Sequence, residues 1–555
     1  MTAEELHSLA TSLFDTNQGK RLEWLGVVRK VMRGIYDAAN HQERDPNGGK
    51  YQRACAKAAE CVNKLASAHM SYITPMAERW FYFEPSGVQK DDSVKHFFAQ
   101  CTDVAIDVLE NSNCYTELIG VYIDRVATGT GLLLTEPVEE GIGVNCVHVP
   151  AGTYAMEQDS RHRVNTVVRK LMMTPAQMAD RFGLDALTPE VRKKVESPGS
   201  RYSEQVEVWH IVLPRKQSIA GVRDVAEKDM PFASYYLEPG KKHILEESGY
   251  LEFPYMATRF TRYGNQVYGT SPLLAVEDSI DDLRVARETA KIAMQRACMP
   301  PTLVPTDMLG QMDYRAGAEI PVPIQYMNSA LPREFAPVQN IPGIYDLRED
   351  YVSDIENALF IPVLEVVSRV DRAMTATEAN YRDAERILTF TASFTQLKTD
   401  MRPFMTRLFN ILLRQGAFPT EDAPMDLVST FVAHNGEEYE MLNLEPQTMY
   451  IGKMSQGMKR AHMVGADVTM AKLMELSSVS QRPEYTAIVD AEKYAREMAL
   501  ANGMPAHLLV SPAKVKQMLA QVQAAQDQTR MAQDAVMLSE ADKNRADANA
   551  ALMGM

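Results

Sequence analysis

"GNQVYGTSPLLAVEDSIDDLRVARETAKIAMQRACM", Gly264 to Met299, opens with two glycines five positions apart and then runs on without another. A phosphate-binding loop reads G-x-x-x-x-G-K-[ST], and Gly264 and Gly269 stand at its glycine positions. The lysine that must reach the β- and γ-phosphates is absent, because position 270 is Thr. Pro272 removes one of the N–H groups such a loop needs at the helix start, and no acidic strand follows to hold magnesium. A strand, a glycine turn and a helix capped by Ser271, with Pro272 in its first turn, accounts for every one of these residues. A nucleotide hydrolase built on 264–271 is the alternative.

The helix predicted from Pro272 carries Glu277, Asp278, Asp281 and Asp282 early and Lys291 and Arg296 late, the polarity that complements a helix dipole. Its length is on the order of 40 Å. Eight prolines then fall between Pro300 and Pro342, with short alternating pieces such as "AEIPVPIQYM". That texture predicts a small β-type lobe or extended loop. A second helix, "YDLREDYVSDIENALF", follows, with Asp346, Glu349, Asp350, Asp354 and Glu356 against Arg348 alone. The order helix, proline-rich lobe, helix describes a projection whose two legs can lie side by side.

On the N-terminal side, "ACAKAAECVNKLASAHMSYI" and "DSVKHFFAQCTDVAIDVLENSN" repeat apolar residues at helical spacing. A short aromatic strand, "WFYFEP", lies between them. Helix gives way to strand at the Thr-Gly-Thr-Gly of 128–131, and "GLLLTEPVEEGIGVNCVHVP" and "SEQVEVWHIVLPR" alternate as half-buried strands do. Thr174 and Pro175 start a short helix, and Pro239-Gly240 marks a hairpin turn. On the C-terminal side, Thr375 and Glu378 have the spacing of a capping box at the head of a long helix. The loop before it carries Arg369 and Arg372. Residues 415–452 hold seven acids and no Lys or Arg, and 513–553 hold 11 Ala and six Gln without Gly or Pro. That last segment predicts a weakly amphipathic helix that packs on copies of itself or frays.

The 555 residues suffice for two to four domains. A composition 45% hydrophobic and 24% charged is that of a globular protein, and no apolar run reaches the roughly 20 residues of a membrane helix. The N-terminus shows no basic-then-apolar leader, so no export is expected. The net charge of −15 has the wrong sign for wrapping nucleic acid. Six cysteines without a CxxC pair and 11 histidines without HExxH point away from structural zinc and metal chemistry. No carboxylate pair or Ser/His/Asp set stands out, so no catalytic residue, metal or cofactor is assigned. The 33 methionines fit core filling.

In its surroundings, the opening stretch resembles the bacteriophage head-to-tail connecting proteins, the portal proteins of short-tailed phages. Their strand P-Y/F-x-x-x-R-(W/Y), their Y-G-x-S-P turn, long helix and Pro-Pro segment have counterparts in Pro254, Arg259, Tyr268, Gly269, Ser271, Pro272, Pro300 and Pro301. "LASAHMSYITPMAERWFYFEP" is similar to the family's L-A-S-x-M…P…W-F block. "MTATEANYRDAE", with Met374, Thr375, Thr377 and Glu378, is similar to M-T-A-T-E, and "FMTRLFNILLRQGAFP" to the closing segment. The blocks occur in the family's order over roughly residues 20–530, and the placement of the first forty residues stays open.

The resemblance implies a mostly helical α+β portal-type fold that assembles as a ring, usually of twelve subunits, at one capsid vertex. It divides the chain into N-terminal helices and a strand-rich wing (1–271), a first stem helix (272–299), a clip (300–342) and a second stem helix (343–361). A channel loop (362–374), a long helix with wing and crown support (375–450) and C-terminal crown or barrel helices (451–555) complete it. The ring would be a conduit for packaging and ejecting double-stranded DNA, in the virion and, during assembly, in the host cytoplasm. Its implied partners are its own copies, the terminase large subunit, a tail adaptor, and capsid and scaffolding proteins, with no membrane. Glu349, Asp350, Asp354 and Glu356 would face the channel wall. Arg369 and Arg372 would touch DNA or form intersubunit salt bridges with acids such as Asp371 or Glu378. Tyr314, Arg315 and Tyr326 would lie on the docking lobe. Another virion part, a tail adaptor or scaffold-like protein, is the competing structural reading.

Overall fold

Thr2 and Glu5 open the first helix, α1 (Ala3–Thr16), as a reciprocal pair: Thr2 Oγ1 accepts from the Glu5 N–H at 3.3 Å and the Glu5 carboxylate accepts from the Thr2 N–H at 2.9 Å. Its Leu6, Ala10 and Phe14, four residues apart, are buried on a sheet face made by Ala155, Val168, Trp209, Ile211, Ala233, Tyr235 and Leu237. The Lys170 ammonium lies 4.4 Å from the Phe14 ring centre and caps that contact. This computed structural model describes residues 1–16, 55–76, 78–85, 92–215, 230–298, 302–303, 333–334, 342–365, 376–419, 428–432, 438–442, 446–451, 453–480 and 488–501, with eight isolated positions beyond. They divide into two compact units, Met1–Met458 and Lys459–Met555.

In the first unit, helices α2 (Ala56–Ile73), α3 (Asp92–Asn111) and α4 (Cys114–Thr128) enclose a short strand, β1 (Phe81–Pro85). Strands β2 (Thr130–Pro137), β3 (Val144–Val149) and β9 (Tyr255–Arg259) form a three-stranded antiparallel sheet in the order β3-β2-β9. Between β3 and β9 the chain makes a five-stranded antiparallel meander of β4 (Tyr154–Gln158), β5 (Val164–Met173), β6 (Val206–Pro214), β7 (Phe232–Glu238) and β8 (His243–Tyr250). Two short helices, α5 (Pro175–Phe182) and α6 (Pro189–Glu196), bridge β5 and β6. Thr174 and Gln177 cap α5 reciprocally, with Pro175 in its first turn as the residue types predict.

The expected helix from Pro272 starts as a 3₁₀ turn, Pro272–Val276, and becomes α7 at Glu277–Cys298. A two-residue pair, β10 (Thr302–Leu303) with β11 (Arg333–Glu334), brings the chain back antiparallel to α8 (Pro342–Ala358). The chain turns at Phe360, in the left-handed region at φ 57°, into α9 (Ile361–Leu364). The longest element among the described residues is α10 (Ala376–Arg414), 39 residues with Pro403 inside. It ends as a Schellman cap: Gly416 at φ 67°, its N–H on the Leu413 carbonyl at 3.1 Å and the Ala417 N–H on the Leu412 carbonyl at 3.0 Å. A hairpin of β12 (Val428–Val432) and β13 (Glu438–Leu442) precedes β14 (Pro446–Tyr450), which pairs antiparallel with β1. The C-terminal half of α10 supplies Leu397, Met401, Phe404, Met405, Leu408, Phe409 and Leu412 to the largest core, with α3, α4 and β1. Helices α11 (Lys453–Ser480) and α12 (Ala491–Ala501) follow.

Candidate functional site

The two glycines of the opening stretch serve different ends. Gly264 turns an exposed loop at φ 58° with open space around its Cα. Gly269 lies where its strand crosses Gly129, and a Cβ at either would run into the other's backbone. The donors a phosphate would require are already in use. The Gly269 N–H goes to Thr130 Oγ1 at 2.9 Å, the Thr270 N–H to the Thr261 carbonyl at 2.7 Å, and the Leu273 N–H to Ser271 Oγ at 3.0 Å. Ser271 Oγ itself donates to the Val126 carbonyl at 2.7 Å. Tyr268 is buried, its hydroxyl accepting the Met156 N–H at 3.0 Å. Tyr268, Gly269, Ser271 and Pro272 thus form a packed junction joining α4, β4 and the start of α7, with no anion nest left for a nucleotide.

Beneath this junction lies a buried polar network. The Arg259 guanidinium donates to Gln158 Oε1 and the Val267 carbonyl, both at 3.3 Å, and to the His162 carbonyl at 3.2 Å. Its backbone N–H goes to Asp400 Oδ2 on α10 at 2.8 Å. Arg125 of α4 is fully buried, donating to the Ser393 carbonyl and hydroxyl at 2.9 and 3.1 Å, with His69 Nε2 at 3.1 Å. Burial lowers the Arg125 pKa to about 10 and drives the His69 imidazole well below its ordinary value, Arg125 adding to the latter. His69 is therefore neutral and accepts from Arg125. Burial also raises the Asp400 carboxyl, against the pull of Arg259. Farther along α10, Arg407 and Arg414 close on Glu252, Arg414 through both oxygens at 2.6 and 2.9 Å. These contacts hold α10 to the sheets. Sequence patterning missed them, although Arg125, Asp400 and Arg407 each interrupt an apolar stripe, and that interruption was the available signal.

The legs α7 and α8 lie side by side at their base. Ile280, Leu283, Ile355 and Leu359 are buried with Ala58, Val62 and Leu65 of α2, and Ser279 Oγ donates to Asp354 at 3.2 Å. Beyond Leu283 the half-buried positions on α7 include Ala286, Ala290 and Ala293, small enough to keep the legs close. Val285, Ile292 and Met294 on α7 and Leu347 on α8 are exposed. Of the acids singled out, Glu349 and Asp350 are exposed on α8, and Asp354 accepts from Ser279. Glu356 is half-buried and ion-paired to Lys57 of α2 at 2.8 Å, so it joins the leg to the body. Thr377 and Glu378 lie in the first turns of α10. Arg369, Arg372, Met374 and Thr375, and Tyr314, Arg315 and Tyr326, lie outside the described residues. Among the described residues no group of His, Cys, Asp and Glu could hold a metal ion, and no helix is long and apolar enough to cross a membrane.

A mixed helix-and-sheet body, a closed glycine junction and a pair of helical legs with apolar outer residues are compatible with a structural protein of the interaction type. Comparison with known proteins agrees: residues 4–509 match the family described as bacteriophage head to tail connecting protein, and the chain belongs to it. The match reaches back to residue 4 and so takes in the first forty residues, whose placement the motifs left open. The chain is 26% identical over 511 residues to the portal protein of Salmonella phage epsilon15, covering 89% of this chain and 87% of that one. It is 25% identical over 490 residues to the probable portal protein of Bordetella phage BPP-1, covering 86% and 82%. It is a structural connector and not an enzyme.

Proposed function

We propose that this chain is a portal protein that closes into a ring, of twelve copies, at one vertex of a phage capsid and conducts double-stranded DNA during packaging and ejection. The observation that carries this reading is the family match over residues 4–509, joined by a portal protein and a probable portal protein aligned over more than four fifths of their own length. A closed ring of head-to-tail contacts needs two complementary surfaces per subunit. The exposed Val285, Ile292, Met294 and Leu347 on the legs support it, since outward apolar residues of this kind call for neighbours.

In this reading, 272–299 and 343–361 are the stem, 300–342 the clip, 362–374 the channel loop and 375–450 the long helix with wing and crown support. The wing is 1–271, and 451–555 form the crown or barrel. The acids Glu349, Asp350 and Asp354 make a wall along which a polyanion slides, whereas a basic wall would grip it. Arg369 and Arg372 are the exception and touch phosphates transiently to retain packaged DNA. Tyr314, Arg315 and Tyr326 dock the terminase motor and later the tail adaptor. The ring belongs to the virion and assembles with capsid and scaffolding proteins in the host cytoplasm.

Negative-stain imaging with mass photometry of the purified chain tests the assembly. Twelve chains of 62.1 kDa predict closed rings of about 0.7 MDa with a central hole. Filaments, compact dimers, or monomers that persist with capsid and scaffolding protein present would overturn it. For the arginines, packaging and retention of DNA unchanged in an R369A/R372A phage would remove the contact.

A further inference from the structure

Two loops beside the glycine junction bring three exposed arginines together. The first is the β4–β5 turn, Asp159-Ser160-Arg161-His162-Arg163, wound around Asp159, whose Oδ1 accepts the N–H groups of Arg161 and Arg163 at 2.9 and 2.8 Å. The second is the loop Thr261-Arg262-Tyr263-Gly264-Asn265-Gln266, closed at its base by the Thr261–Thr270 bridge. Gln158 Nε2 donates to the Asn265 carbonyl at 2.9 Å, and buried Arg259 bonds His162 on one side and Val267 on the other. The two loops are therefore one platform, fastened from below.

Arg161, Arg163 and Arg262 are all exposed on it, with Tyr263 79% exposed at the tip. Arg163 pairs with Asp159 at 2.9 Å, while Arg161 and Arg262 form no ion pair among the described residues. The Arg262 charge reaches Arg259 beneath it, adding to the burial that lowers that guanidinium's pKa. Two exposed arginines without an ion pair among the described residues stand out on a chain of net charge −15. The loops expose no aliphatic side chain. Their remaining groups, Ser160, Thr261, Asn265 and Gln266, are small or amide hydrogen-bonders of the kind that contact sugar and phosphate. A protein partner would call for a wider apolar centre than the single Tyr263 ring offers here. Guanidinium forks suit phosphate oxygens.

We propose that this platform binds the phosphodiester backbone of double-stranded DNA, through Arg161, Arg262 and Arg163, with Tyr263 packing against the backbone between them. It uses none of the channel residues named above. The source of the DNA rests on the portal reading, while the binding chemistry does not.

The test is a fluorescence-anisotropy titration of the full chain with a 30-base-pair duplex at several salt concentrations, with mass photometry on the same samples. The variants are R161A/R262A, R161E/R262E and Y263A, all exposed positions, with circular-dichroism melts as the folding control. Each lost phosphate contact flattens the log–log salt dependence by about 0.9, so R161A/R262A should lower the slope by about 1.8 and weaken low-salt binding about tenfold or more. Charge reversal should weaken it further, and Y263A should weaken it with the slope kept. Absence of duplex binding by the unaltered chain at low salt, or an unchanged slope in both double variants, overturns the proposal. Loss of assembly in those variants with DNA binding intact also overturns it and makes the platform a contact between subunits. A lowered slope in a chain that forms no rings even with capsid and scaffolding protein present upholds the platform and refutes the portal reading.

Discussion

Gly264 and Gly269 look alike in the sequence and differ in cause. Gly264 supplies a left-handed backbone in open space, so Gly264→Ala should cost about 1 kcal/mol, the price of that conformation with a Cβ. Gly269 supplies absence of volume against the Gly129 backbone, which cannot retreat without moving α4 or β2. Gly269→Ala should therefore cost about 3 kcal/mol or more, in line with overpacking at a rigid contact. Chemical denaturation of the two variants checks this, and equal midpoints would contradict the crossing. Ser271 was legible as a cap because a hydroxyl before proline is a local signal. The partner of Gly269 was not, because Gly129 is 140 residues away in the chain.

Helix α10 shows how an element is held when local propensity argues against it. Pro403 removes one N–H from its interior and would break a lone helix. The flanking Met401, Phe404, Met405 and Leu408 are buried, and that burial outweighs the lost hydrogen bond. Polar anchors add direction. Arg407 is almost wholly buried, donating to the Thr135 and Glu252 carbonyls at 2.9 and 3.0 Å as well as to the Glu252 carboxylate. Glu252→Ala strands that charge with two carbonyls and frees Arg414, and should cost about 2 kcal/mol. A denaturant midpoint left unshifted would show the clamp to be idle. The expected long helix was legible from the Thr375 and Glu378 spacing at its head. The β1–β14 pair was not, since a short strand in an acid-rich segment gains its identity only from Phe81, Phe83 and the core they enter.

Stability as a function of pH is a property of the entire fold, and two buried histidines dominate one side of it. His210, between the Tyr255 hydroxyl at 2.7 Å and Ser234 Oγ at 3.0 Å, is driven well below the ordinary histidine value of 6.5 by burial, as His69 is. Both take up protons in the unfolded chain below about pH 6.5 and resist doing so when folded, so acid favours unfolding. Each removes about 1.4 kcal/mol per pH unit until it protonates in place. Asp400 works in the opposite sense, because burial raises its carboxyl and acid relieves that cost. Denaturation midpoints should hold above pH 6.5 and fall below it, and His69→Gln should flatten the fall by about one proton. A pH-independent midpoint down to pH 5 would contradict neutral burial of these rings.

Composition, period and capping chemistry are local, and from them came the helical legs, the proline-rich stretch between them and the alternating strands, while the four blocks came from family resemblance. Each depends on residues within a turn or two of one another, so each survives in a one-dimensional string. The tertiary structure decided what those segments are for. It placed the glycine turn at a backbone crossing, tied Glu356 to Lys57, seated α10 on Arg125, Arg259 and Glu252, and joined two distant turns into one arginine platform. Hydrogen bonds and buried charges take their meaning from partners a hundred or more residues away, and only the folded chain brings those partners within 3 Å.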